Sequence, residues 1–243
     1  MRILIVGDIH SNLEAFQAVI EDAGRQGGFE RVWCLGDVVG YGPDPLACIA
    51  LLNRHQHVCV AGNHDRAAIG WLDISDFNPY AAAACRWTVS RLRQEDVAFL
   101  SGLPETALEG EFTLVHGSLR HPIWEYITSE SHALATFAVL KTRSCLVGHS
   151  HVPFLCREVE GRAEFEALQE GKPLRWGEER WILNPGSVGQ PRDGDPRASY
   201  VLYDSYAGTM SHRRVGYDIE AVQEKMREEG LPRPLIDRLS YGR

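Results

Sequence analysis

A chain of 243 residues with 44% hydrophobic and 24% charged residues has the balance of a globular protein, long enough to bury a substantial core without disulfide staples. Its 33 acidic against 25 basic residues leave a net charge of −8, so the basic stripe of a duplex-binding protein is missing and no stable nucleic-acid partner is expected. No run reaches the ~18 apolar residues of a spanning helix, and MRILIVGD is too short for a signal peptide, which predicts a cytoplasmic protein with no membrane association.

In chain order, a strand over residues 3–6 runs into GDIH, and Asn12 caps a helix over 13–24 whose apolar residues recur at helical spacing. A strand over 32–35 leads into GDVVG, and a helix over 45–54 opens with a proline suited to a first turn. A strand over 58–61 ends in GNHD, followed by one long helix over 79–100. A strand over 113–115 precedes HGS, and a helix over 131–141 leads to a strand over 145–147 that ends in GHSH. These Val-, Ile- and Leu-rich runs suit buried strands, and their alternation with helices implies an α/β sheet whose site lies beyond the carboxyl ends of the strands. After residue 152 the texture changes to strands over 154–159, 163–168, 180–183 and 199–204, mostly antiparallel, with a surface helix over 218–229. Without a repeat or long linker, residues 1–243 read as a single domain.

Five of these strand-like runs end in metal-ligand chemistry. Asp8 and His10 stand two apart, a spacing that points both side chains the same way if the strand continues. Asp37, then Asn63 and His64, then His116 end the next runs, and His149 and His151 repeat the two-residue spacing. A carboxylate–imidazole mixture suits transition ions (Mn, Fe, Zn or Ni) better than Ca, and the absence of thiolates argues against a structural zinc site. Any one of these pieces is commonly a plain turn or a core histidine. Five of them in order at successive strand ends are not. The six cysteines are scattered with no CxxC pair, and read as reduced core thiols.

On DIH, GDVVG, GNHD, HGS and GHSH, spanning residues 8 to 151, the chain resembles the calcineurin-like metallophosphoesterase superfamily. With NPGSVGQPRDGDPR downstream it looks like the small prokaryotic phosphodiesterase-type branch. The resemblance implies a four-layer α/β/β/α sandwich of two mixed β-sheets flanked by helices, holding two divalent transition metal ions about 3.5–4 Å apart. Carried over residue by residue, Asp8, His10 and His151 take one ion, Asn63, His116 and His149 the other, and Asp37 bridges them. A metal-bridging hydroxide then attacks the phosphorus, and His64, itself no ligand, assists the leaving group. The substrate implied is a small or nucleotide-like phosphodiester; a phosphomonoesterase, a dinucleoside polyphosphate hydrolase and a non-catalytic metal-binding scaffold are the alternatives. The protein-phosphatase branch has a second Asp in the GD motif that orients the catalytic histidine. Here Gly40 stands at that position, and Asp65, though adjacent to His64, is not placed against the imidazole by adjacency alone.

Around these motifs, Arg120 is a candidate for bidentate phosphate binding, beside Asn63 as a second substrate contact. The turn at residues 184–189 is a candidate anion nest. Arg192 and Arg197 read as surface charges, Trp124 and Tyr126 as packing with stacking on a nucleobase or aryl group as the alternative, and His55, His57, His132 and His212 as residues outside any motif.

Overall fold

The computed structural model describes residues 1–175 and 179–243. β1 (Arg2–Val6) is buried on both faces, which accounts for its unbroken apolar run. Ile3 and Ile5 face the core between two sheets, while Leu4 and Val6 face a second core beneath helices. Asn12 accepts a hydrogen bond from the Ala15 amide (3.1 Å) and so starts α1 (Leu13–Arg25), whose Ala15, Phe16, Val19 and Ala23 join that second core. β2 (Arg31–Cys34), α2 (Pro45–Asn53) and β3 (His57–Cys59) follow as expected.

Asn63 and His64 then open a helix of their own, α3 (Asn63–Ala68), where only a strand end was expected. The predicted helix over 79–100 is two helices, α4 (Pro79–Arg91) and α5 (Gln94–Ser101). Leu92 between them is extended (ψ 135°), and Asp96 accepts from the Arg93 amide (3.0 Å), so a new helix start overrides continuous propensity. The chain continues through β4 (Thr106–Glu109), β5 (Phe112–Val115), α6 (Glu130–Val139), β6 (Ser144–Leu146), β7 (Phe154–Val159), β8 (Arg162–Glu166) and β9 (Pro173–Arg175). It ends with β10 (Trp181–Asn184), β11 (Ala198–Asp204), β12 (Thr209–Val215), α7 (Ile219–Glu228) and α8 (Arg233–Asp237). Strands β4, β9 and β12 carried no clear sequence signal, because each is short or largely polar.

The strands form two mixed six-stranded sheets, ordered β3-β2-β1-β11-β12-β9 and β4-β5-β6-β10-β7-β8. β1, β2 and β3 run parallel, as do β5, β6 and β10, and antiparallel strands complete each sheet. The second half therefore does not form its own sheet but contributes strands to both. Trp33, Leu35, Phe112, Leu146, Leu183 and Val201 fill the space between the sheets. Helices α1 and α2 cover the outer face of the first sheet, and α6, through Ala133 and Phe137, that of the second. All six cysteines are buried free thiols. Among the described residues no helix is long and apolar enough to cross a membrane.

Candidate metal centre

The carboxyl ends of β1, β2 and β3 in one sheet and of β5 and β6 in the other meet at one end of the sandwich. Asp8, His10, Asp37 and Asn63 arrive from the first sheet, and His116, His149 and His151 from the second. All seven are buried, none more than 4% exposed. Asp8, His10, Asp37, His149 and His151 adopt left-handed backbone conformations, with φ between 49° and 66°. That region is costly for residues with a Cβ, and the cost is borne here to turn short side chains inward. Asp8 and His10 consequently converge through a tight turn beyond β1, not through the alternation of a continuing strand.

The turn at 184–189 supports this geometry from behind. Three of its amides are already bonded: Val188 N–H to Gly7 O (3.0 Å), Gly189 N–H to Asp8 O (2.9 Å) and Gly186 N–H to the Asn184 side chain (2.8 Å). It is a buttress for the Asp8 loop and does not form an anion nest.

The ring nitrogens show what the cluster could bind. Backbone carbonyls only accept, and each of four histidines sets one nitrogen against a carbonyl. His10 Nδ1 donates to Val39 O (3.2 Å), His116 Nδ1 to Leu35 O (2.8 Å), His151 Nδ1 to Gln190 O (2.6 Å) and His149 Nε2 to Trp124 O (3.1 Å). In the neutral rings the opposite nitrogens are therefore acceptors. His10 Nε2 and His151 Nε2 lie 3.1 Å apart, with Asp8 Oδ1 at 3.4 Å from His151. His116 Nε2 lies 3.1 Å from both Asn63 Oδ1 and His149 Nδ1. Asp37 Oδ2 stands between the groups, 3.6 Å from His10 Nε2 and 3.4 Å from His116 Nε2. Where the rings are neutral these lone pairs face one another, and a cation among them relieves the repulsion, a metal ion or, at His116, the proton that a metal would displace. The donor set therefore fits divalent metal ions, with ligand atoms of Asp8, His10 and His151, and of Asp37, His116 and His149, each within 4.8 Å of one another.

Electrostatics agree. Burial pushes the Asp8 carboxyl up to about 7. Burial also raises Asp37, but the imidazoles of His116 and His64 outweigh it and hold that carboxyl well below the usual range. For His116, burial opposes the charged form, yet the Asp37 carboxylate overrides it and raises the ring to about 9. The negative charge that favours a proton there favours a metal cation equally.

His64 meets the same cluster, within 4.8 Å of His10 and Asp37 ligand atoms. Its ring is wedged among Tyr41, His10 and Phe77, at centroid distances of 4.3, 4.9 and 4.9 Å. A methyl group at Gly40 would stand 2.6 Å from His64 Nδ1, so the residue that lacks a carboxylate is also the one that makes room for the ring. His64 Nδ1 is buried with no hydrogen-bond partner among the described residues. Asp65 does not supply one. Its carboxylate accepts from the amides of Asp37 (2.8 Å), Val39 (3.2 Å) and Gly62 (3.0 Å), fastening the Asp37 loop to the start of α3.

A cleft of ≈ 210 Å³ opens over His64, His149 and His151. Arg120, expected at the substrate, is not in its wall: the guanidinium is paired with Glu125, five residues on. Arg192, expected on the surface, does line it, as do Tyr41 and Phe77, which no motif singled out. The signal for them was absent because they converge only in three dimensions. Tyr126 stacks on His149 (3.8 Å, 21°), and Trp124 crosses Phe77 edge-on (5.5 Å, 83°).

Residues 1–208 match the sequence profile of the calcineurin-like phosphoesterase superfamily domain. The chain belongs to this superfamily. Membership makes it a phosphoric ester hydrolase by kinship, and its clustered aspartates and histidines are the donor set for divalent metals. It is similar to a metallophosphoesterase from Sphaerobacter thermophilus of known structure, at 45% identity and a TM-score of 0.91 over 100% of this chain and 99% of that one. It is 38% identical to an uncharacterized protein, MJ0912, of Methanocaldococcus jannaschii, over 99% of this chain and 98% of the relative. A symmetrical bis(5'-nucleosyl)-tetraphosphatase from Aromatoleum aromaticum is 31% identical over 60% of this chain, which spans about half (54%) of that relative's length.

Proposed function

We propose that this protein is a dinuclear-metal-dependent phosphodiesterase acting on a small, nucleotide-like ester. The observation that carries the proposal is the pair of converging acceptor groups that share Asp37. In this reading Asp8, His10 and His151 hold one ion, Asn63, His116 and His149 the other, and Asp37 both. When bound, divalent ions such as Mn, Fe, Zn or Ni supply Lewis acidity towards phosphoryl oxygens and activate water.

His64 is left for the leaving group. Burial and the nearby Arg192 charge hold its pKa at about 4, so at neutral pH the ring is neutral and carries one N–H. As a bond forms between water oxygen and phosphorus and the ester P–O bond breaks, negative charge grows on the departing oxygen. An N–H donor facing the cleft stabilises that charge, and the proton lost by water ends on the alcohol product. Gly40 in place of a carboxylate leaves this imidazole without the partner of the protein-phosphatase arrangement, which supports a diester over a protein phosphomonoester.

The test is a comparison of bis(p-nitrophenyl) phosphate with p-nitrophenyl phosphate on metal-loaded protein. The diester is expected to be the better substrate by about tenfold or more in kcat/KM, and the reverse preference overturns the diesterase reading. The name of the Aromatoleum aromaticum relative supports a second reading, a dinucleoside polyphosphate hydrolase. A dinucleoside tetraphosphate that outperforms the aryl diester in kcat/KM would establish it.

A further inference from the structure

Arg192 presents an unusual charge. Its Nη2 donates to Gln190 Oε1 (2.9 Å) and, at 3.4 Å, to the Tyr41 hydroxyl, and the guanidinium lies 5.8 Å from the Tyr41 ring centroid. All these partners are neutral. Its Nε is buried with no hydrogen-bond partner among the described residues. Acidic groups are plentiful in the same segment, yet they are committed elsewhere: Asp193 to Arg214, and Asp195 to Arg197, which also reaches Glu170. Among the described residues no carboxylate lies within ion-pair distance of Arg192, so its charge on the cleft is open to an external anion.

Its backbone is tied to the metal centre, because the Arg192 amide donates to His151 O (3.3 Å) and Gln190 O holds the His151 ring. In the same cleft stands Trp124, 38% exposed and braced edge-on by Phe77. Tyr126 lines the same cleft with one face stacked on His149 and its hydroxyl engaged by Arg192, while Trp124 meets Phe77 and His149 only edge-on.

We propose that Arg192 is the phosphate clamp of the cleft and Trp124 the wall for a flat ring, which makes the ligand class a nucleotide ester and not an alkyl phosphodiester. The inference rests on the phosphoesterase reading above and narrows its substrate. The guanidinium takes phosphoryl oxygens through its fork while Gln190 and Tyr41 hold it in place, and base–aromatic stacking fills the wall.

Calorimetric titration of manganese-loaded protein with inorganic phosphate, adenosine and AMP tests both halves. Arg192→Ala is expected to weaken phosphate and AMP by about tenfold or more and to leave adenosine unchanged, with Arg192→Lys recovering part of the loss. Trp124→Ala is expected to weaken adenosine and AMP by about fivefold or more and to spare phosphate. Arg120→Ala, whose guanidinium is paired with Glu125, should alter none of the three. Melting temperatures identify any variant that fails to fold, and Arg192→Lys keeps the clamp testable in that case. Wild-type affinity for phosphate in both folded Arg192 variants overturns the clamp; wild-type affinity for AMP in Trp124→Ala overturns the wall. Arg192-dependent binding by a protein that cleaves no diester contradicts the phosphodiesterase reading alone. Diester cleavage with Arg192-independent binding contradicts this inference alone.

Discussion

Replacing Gly40 by alanine separates backbone strain from active-site geometry. The new methyl would lie 2.6 Å from His64 Nδ1 and 2.9 Å from its Cβ and Cγ, well short of the 3.4 Å at which ordinary contact begins. The ring has little room to retreat, since Tyr41, His10 and Phe77 surround it. Gly40 also sits at φ +97°, where any side chain costs roughly 1–2 kcal/mol. A control isolates that cost: Gly161, in the turn between β7 and β8, has φ +77° and nothing within 4 Å of an added methyl. Gly161→Ala is expected to lower stability by about 1 kcal/mol and to leave turnover unchanged. Gly40→Ala should lose at least as much stability and, by displacing His64, on the order of 10²-fold in turnover, with metal content retained. Thermal unfolding, steady-state hydrolysis of bis(p-nitrophenyl) phosphate and elemental analysis on both variants decide the matter. Equal turnover in Gly40→Ala and Gly161→Ala would refute the placement of His64 in the chemistry.

His64→Ala should keep its metal and lose about 10²–10⁴-fold in turnover, measured by the same hydrolysis assay; unchanged turnover removes His64 from the mechanism. Asp65→Asn turns an amide NH2 towards backbone donors that the carboxylate now accepts, so denaturant unfolding should report a loss of about 1–3 kcal/mol, and an unaltered midpoint would contradict its scaffolding role. Metal affinity should rise with pH. His116 binds an ion only as the neutral ring, and Asp37 raises its pKa to about 9, so below that value each bound ion at this position displaces a proton. Between pH 6.5 and 7.5 the dissociation constant should fall about tenfold, with proton uptake by the buffer seen in calorimetry. A pH-independent constant would contradict it.

Much of the fold was legible because buried parallel strands announce themselves as unbroken apolar runs. Residues 3–6 and 32–35 are examples, each ending where a ligand-bearing loop begins. The break at Leu92 was not legible, because it depends on one side chain, Asp96, turning back to cap a new helix. β12 is mostly polar in sequence and is defined by pairing with β11 along seven residues. For the site, the seven candidate ligands were readable as motifs, since they fall just beyond the ends of five strands, β1, β2, β3, β5 and β6. The cleft wall was not. Tyr41, Phe77, Trp124 and Arg192 come from separate segments, and nothing local distinguishes Arg192 from Arg120 until the Glu125 pairing of the latter is known.

In the proposed mechanism the converging acceptors form a two-ion centre on which hydrolysis depends. Its most direct test is a titration of chelator-treated protein with Mn²⁺, following bound metal and diester hydrolysis in the same samples. Saturation at about two ions per chain, no turnover without metal, and turnover that rises as the second ion binds are expected. Saturation at a single ion, or full activity in the metal-free protein, would contradict it.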